Sequence, residues 1–165
     1  MIDRLIQRIE ETENPAVVGL DPALAMIPQY LRQEKFEQFG KTPKAVAEMF
    51  FEFNRLIIDA VADLIPAVKP QIAMYERYGL DGLAAYLRTI EYAKSKGLVV
   101  IADIKRGDIA STAAAYAAHI GGVDIEGSYF DPWQEEFITI NPYFGIDGIE
   151  PFLEVLRRRE RGVFI

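Results

Sequence analysis

Five short apolar runs punctuate the chain: Ala16–Leu20 (AVVGL), Leu64–Val68 (LIPAV), Leu98–Ala102 (LVVIA), Phe137–Ile140 (FITI) and Val163–Ile165 (VFI). None alternates cleanly between apolar and polar residues, so each reads as a strand covered on both faces. Pro66 fits the second run only near a strand start. Helical periodicity fills most of the intervals. Residues 41–64 carry Val46, Met49, Phe50, Phe53, Ile57, Ala60 and Val61 on a 3.6-residue period, behind a Thr42 cap and Pro43 at the first helical position. Residues 79–97 repeat the pattern with Leu83, Leu87 and Ile90, and Gly97 ends it. Residues 145–162 place Ile149, Phe152, Leu153 and Leu156 on one face, with Asp147 and Glu150 at the spacing of a capping box. The arginines of the RRRERG tail fall in that helix's last turns and read as a solvated end suited to its dipole.

Strands alternating with helices at this spacing predict βα units and a parallel sheet, organised as one domain over residues 1–165. Residues 121–136, GGVDIEGSYFDPWQEE, show neither period and read as a loop or short insertion. The last run stops at Ile165 with no return helix after it. The expectation is therefore the first part of a longer α/β protein.

Charge narrows the partners. Lys plus Arg is 18 and Asp plus Glu is 25, a formal net charge of -7. That argues against a nucleic-acid or anionic-membrane surface, while a few local cations still suffice to hold a phosphate. The absence of cysteine removes disulfides, zinc–thiolate sites and thiol nucleophiles. The opening MIDRLIQRIEETENP is an amphipathic charged helix and not a signal peptide, and no apolar run is long enough to span a bilayer. A cytoplasmic location is expected.

The third run leads straight into charge: VVIADIKRGDIAST, Val99–Thr112. Asp103 and Lys105, two residues apart on one strand, leave by the same face. Asp108 lies beyond the strand, before a helix that Ser111 or Thr112 can cap. Other runs also end in polar residues: Asp21 after the first, Lys69 after the second, and Thr139, Asn141 and Tyr143 at the fourth. In a closed barrel of parallel strands such ends converge on one pocket. A buried charge must be paired or put to use, so several at successive strand ends favour a site over scattered structural pairs. Asp108 taken singly reads as a helix-start residue. His119, the one histidine, reads as a helix-end or surface residue. The sequence contains no nucleophile-elbow serine, HExxH, P-loop or GxGxxG, which leaves a lysine as the available general acid. Flanked by carboxylates, such a lysine stays cationic: a poor Schiff-base nucleophile, but a good proton donor and carbanion stabiliser.

These motifs resemble the orotidine 5'-phosphate decarboxylase family. ADIKRGDIAST resembles its Asp-x-Lys-x-x-Asp-Ile signature in the KRGDI form, and VVGLDP, AVKPQIAMYE and ITINPYFGIDGIEPF resemble the same branch in order. The resemblance implies a (β/α)8 TIM barrel that dimerises with its sites at the interface, and a reaction taking orotidine 5'-phosphate to UMP and CO2 with no metal or organic cofactor. It implies an alternating network of Lys69, Asp103, Lys105 and Asp108, with Asp108 supplied across the homodimer. Asp21 is expected at the ribose hydroxyls, Thr112 at a partner-side contact, and Asn141 at the substrate. Family members continue for three more strands carrying the pyrimidine and phosphate contacts, so an inactive fragment is the expectation for residues 1–165 alone. Relatives in the superfamily that act on sugar phosphates through a metal-stabilised enediolate offer a second reading, with Asp103 as ligand and Glu76 as the nearby acid.

Overall fold

The computed structural model describes all 165 residues, Met1–Ile165. Its elements are α1 (Ile2–Thr12), β1 (Val17–Leu20), a single 3-10 turn at Leu24–Met26, α2 (Gln29–Phe39), α3 (Pro43–Val61), β2 (Ala67–Pro70), α4 (Ala73–Glu76), α5 (Gly79–Ser95), β3 (Val99–Arg106), α6 (Ala110–Tyr116), α7 (Ala118–Gly121), β4 (Val123–Ile125), β5 (Ser128–Phe130), β6 (Phe137–Ile140), α8 (Ile146–Leu156) and β7 (Gly162–Phe164). Five strands form one sheet in the order β1-β2-β3-β6-β7, every pair parallel. The strands stand in chain order, as in the staves of a βα barrel.

The two faces of the sheet are set by strand alternation. Val68, Val100, Ala102, Ile138 and Ile140 point outward into the main core with Phe50, Tyr75, Tyr86 and Phe152 from the helices. Ala67, Val99, Ile101 and Phe137 point inward, where Met1, the N-cap of α1, and Leu5 pack over them. In the same phase, two residues further along each strand, stand Lys69, Asp103 and Thr139. One face therefore holds an apolar floor and a polar rim.

Several elements differ from the expectations, each for a local reason. β2 starts three residues later than the apolar run, because Leu64 is 55% exposed and only Ala67 onward joins the ladder. Lys69 thus lies inside the strand, as Asp103 and Lys105 do inside an extended β3. Residues 29–39 form a helix with no apolar stripe to announce it, since only Leu31 is buried. Thr42 does cap α3, accepting the Ala45 N–H at 3.2 Å with Pro43 behind it. Ser111 and Thr112 do not cap α6; Ile109 holds the N-cap position and both hydroxyls lie inside the helix. The capping box at Asp147 and Glu150 is likewise not formed: Gly145 is the N-cap, and Glu150 pairs with Arg157 at 2.7 Å. α8 ends at Leu156, so Arg157 is its C-cap and the arginines after it lie past the helix.

The stretch 121–136 is more ordered than a loop. It contains the β4–β5 hairpin, turned by Glu126 (φ 51°) and Gly127 (φ 87°). A two-residue turn with positive φ at both positions matches the twist of a hairpin. The stretch ends in two buried carboxylates. Glu135 is fully buried, bonded to Tyr86 Oη at 2.5 Å and to His119 Nδ1 at 2.8 Å, and His119 stacks on Trp133. His119 is thus a helix-end residue, but a buried one with 6% exposure. Burial pushes the Glu135 carboxyl above its ordinary range, and the bond from His119 only partly offsets it. Glu136 accepts the Val100 N–H at 2.9 Å and pairs with Arg4, which ties α1 to the N-terminal end of the sheet.

Candidate active site

The polar rim gathers at the C-terminal ends of β2, β3 and β6. Lys69 Nζ donates to Asp103 Oδ2 at 2.7 Å, and Lys105 Nζ donates to Asp103 Oδ1 at 2.5 Å. Thr139 Oγ1 donates to the same Oδ1 at 2.8 Å. Asp103 is 4% exposed, whereas the Lys105 side chain is 64% exposed. The acid is therefore the buried anchor and Lys105 is the arm that reaches into open space. Burial works to raise the Asp103 carboxyl, but the bonds from Lys105, Lys69 and Thr139 outweigh it and hold the group at about 2. Two cations on one carboxylate give the array a net positive charge, suited to an anion developing beside it.

The aim of Lys105 is set by an irregular strand. Ala102 lies opposite Ile138 and Arg106 opposite Ile140, so four steps of β3 match two of β6. Such bulges re-aim side chains near active sites. Lys105 takes a left-handed backbone, φ 47°, and its N–H donates to Thr139 Oγ1 at 3.0 Å. For a residue other than glycine this conformation costs on the order of 1–3 kcal/mol and persists only where its surroundings fix it.

Asn141 stands beside the array. Its N–H donates to the Arg106 carbonyl at 3.0 Å and its Nδ2 to the Lys105 carbonyl at 3.4 Å, while its buried Oδ1 has no partner. Gly107 makes room for it, since a Cβ there would collide with the Asn141 amide. The other expected residues do not join the array within this chain. Asp21 is exposed after β1, where Tyr75 Oη anchors the preceding Leu20 carbonyl at 3.1 Å. Asp108 accepts only the Ile109 N–H, at 2.7 Å. Thr112 is half-buried on α6. Glu76 pairs with Arg106, whose guanidinium lies 5.4 Å from the Tyr116 ring centre.

Comparison with known proteins decides the family. The model of the orotidine 5'-phosphate decarboxylase / HUMPS family matches residues 32–165. The chain belongs to this family. It is 42% identical over 166 residues to orotidine 5'-phosphate decarboxylase of Clostridium acetobutylicum, covering 100% of this chain and 52% of that one. For the Petrotoga mobilis protein of the same name the identity is 43%, over 100% of this chain and 51% of that one. The chain thus spans about half the length of these curated relatives, and corresponds to their N-terminal portion. Among solved structures, Leishmania donovani OMP decarboxylase superimposes with TM-score 0.70 at 29% identity, over 99% of this chain and 51% of that one. Leishmania donovani UMP synthase gives 0.72 at 29% identity, over 99% and 29%.

In this member of the orotidine 5'-phosphate decarboxylase / HUMPS family the five-stranded sheet is an arc of the TIM barrel. Its charged array lies at the strand C-termini, the end where βα barrels carry their sites. Thr139 is the residue that strand-end reading undervalued, although its phase, two residues after Phe137, marks it. The Arg106–Glu76 pair left no such signal, because it joins an odd turn of β3 to a four-residue helix.

Proposed function

We propose that the protein carrying this chain decarboxylates orotidine 5'-phosphate to UMP and CO2, a step of pyrimidine nucleotide synthesis in the cytoplasm. The Lys69–Asp103–Lys105 array carries the proposal. When the bond from C6 to the carboxylate breaks, its electron pair stays on C6 as an unstabilised vinyl anion. A fixed ammonium beside that carbon is the largest help a protein can give. Lys105 supplies this cation, then transfers its Nζ proton to C6 and regains one from water. Asp103 holds Lys105 in place and lies near the departing carboxylate, where its repulsion makes a minor contribution. Lys69 fixes Asp103 from the other side.

Asp21 is assigned to the ribose hydroxyls and Asn141 to the substrate beside the array. Asp108 and Thr112 are assigned to the site of a second copy across a homodimer interface, in keeping with their separation from the array within one chain. Pyrimidine and phosphate contacts are assigned to residues outside 1–165, and binding energy from the remote phosphate helps to order the site. The assignment uses no metal and no organic cofactor. The metal-dependent sugar-phosphate reading is weaker: Lys69 stands where a second acid is needed, and Glu76 is engaged by Arg106.

Loss of substrate absorbance on UMP formation tests the reading. Lys105→Ala is expected to lower turnover by at least roughly 10²–10³ with the fold intact. Appreciable turnover in that variant would overturn the role of Lys105, and loss of activity on thorough chelation would favour the metal-dependent reading.

A further inference from the structure

We infer that Thr139 is a positioning residue, whose hydroxyl locks Asp103 and the Lys105 backbone to each other so that the ammonium is held in one place. The inference rests on the decarboxylase reading above and extends it to a residue on a third strand. A hydroxyl has one proton to give and lone pairs to receive with. Here the proton goes to Asp103 Oδ1 at 2.8 Å and a lone pair receives the Lys105 N–H at 3.0 Å. Each bond fixes the rotor for the other.

The need for such a lock follows from the strand. Between Ala102 and Arg106 the β3–β6 ladder loses its register, so regular strand pairing does not specify the Lys105 backbone. At φ 47° that backbone lies in a sparsely populated region. The side chain of Thr139 takes over where the main chain of β6 is out of step. Thr139 also shares Oδ1 with Lys105 Nζ, while Lys69 holds Oδ2, so three donors from three strands fix the plane of one carboxylate. Without the hydroxyl the carboxylate loses one of its three donors and the Lys105 N–H loses its acceptor, so Lys105 can relax to negative φ, which withdraws the ammonium. Thr139 acts through its neighbours, and its loss is expected to lower kcat more than it alters KM.

Thr139→Val keeps the branched shape and strand preference but deletes the hydroxyl; Thr139→Ser keeps the hydroxyl. The first readout needs no turnover: carboxyl-carbon NMR titration of Asp103 in the full-length protein. The wild-type midpoint is expected well below the ordinary carboxylate value, at about 2. T139V is expected to raise it by about one pH unit, as for loss of one charge-assisted bond, and T139S to leave it in place. Thr139→Ala, the second deletion, is expected to act like T139V and serves if T139V does not fold. In the full-length enzyme T139V is expected to lower kcat by roughly ten- to a hundredfold with KM within about twofold, and T139S to restore it. An unmoved Asp103 midpoint in the deletion variants, a T139S that behaves as T139V, or an unchanged kcat would each overturn the inference. A wild-type enzyme that does not turn over orotidine 5'-phosphate would instead remove the decarboxylase reading, and the titration would still decide whether Thr139 holds the array.

Discussion

Asp103 shows how one buried group can set the pH limits of a site. Its carboxyl titrates at about 2 in the fold against an ordinary 3.8. The folded state therefore holds the proton more weakly than the unfolded chain does. The stability this contributes is fully present above the ordinary value and disappears as the pH falls through the folded one. Asp103→Asn removes the titration while leaving Lys69 and Lys105 without their counter-ion. The stability difference between wild type and D103N, followed by urea denaturation, is expected to be constant above about pH 5 and to shrink between about pH 4 and 2. A difference that stays flat across that window would show that Asp103 is not held by the two lysines. Glu135 runs the other way. It is pushed up by burial, which the bonds from His119 and Tyr86 only partly offset.

At the scale of elements, α4 and α5 meet so closely that a glycine is required. The backbone of Gly82 faces the Tyr75 carbonyl, and a Cβ there would lie inside the radius of that oxygen. Helix propensity alone predicts that Gly82→Ala stabilises α5 by about 1 kcal/mol. The steric conflict is with backbone, which cannot rotate away, so the packing loss dominates. G82A is expected to destabilise the fold by about 2–4 kcal/mol, read from the urea midpoint. A stabilised G82A would mean that α4 shifts at little cost. The consequence reaches the site, because Tyr75 is also the residue whose hydroxyl anchors the end of β1 before Asp21.

The whole molecule presents a sheet whose outer strands, β1 and β7, each have one neighbour. Ile109, in the segment after β3, and Tyr143, Phe144 and Ile146, after β6, are exposed. Asp108 and Thr112, which follow β3, make no bond to the array within the chain. If the site is shared between two copies, a variant lacking Lys105 and one lacking Asp108 repair each other. Mixing inactive K105A and D108A forms of the full-length enzyme, with exchange of subunits, is expected to restore roughly a quarter of wild-type activity, since half the dimers then hold one native site. No recovery in mixtures shown to exchange would place Asp108 outside the site of its neighbour.

The βα rhythm and the parallel sheet were written in the sequence, because apolar runs and helical periodicity report which faces of local elements are covered. The strand ends grouped Asp21, Lys69, Asp103, Lys105 and Asn141, and the motifs around them carried the family. Other features were invisible for a common reason: they depend on residues far apart in the chain. α2 lacks a stripe, because only Leu31 is buried and its neighbours decide that. His119 is buried only because Glu135, Trp133 and Tyr86 close around it. The left-handed Lys105 has no local signal, since no glycine marks it and its cause is a register lost against β6. Sequence determined which residues are carried to the rim; only tertiary structure decided which way Lys105 points, because its backbone is held by the hydroxyl of a residue on another strand.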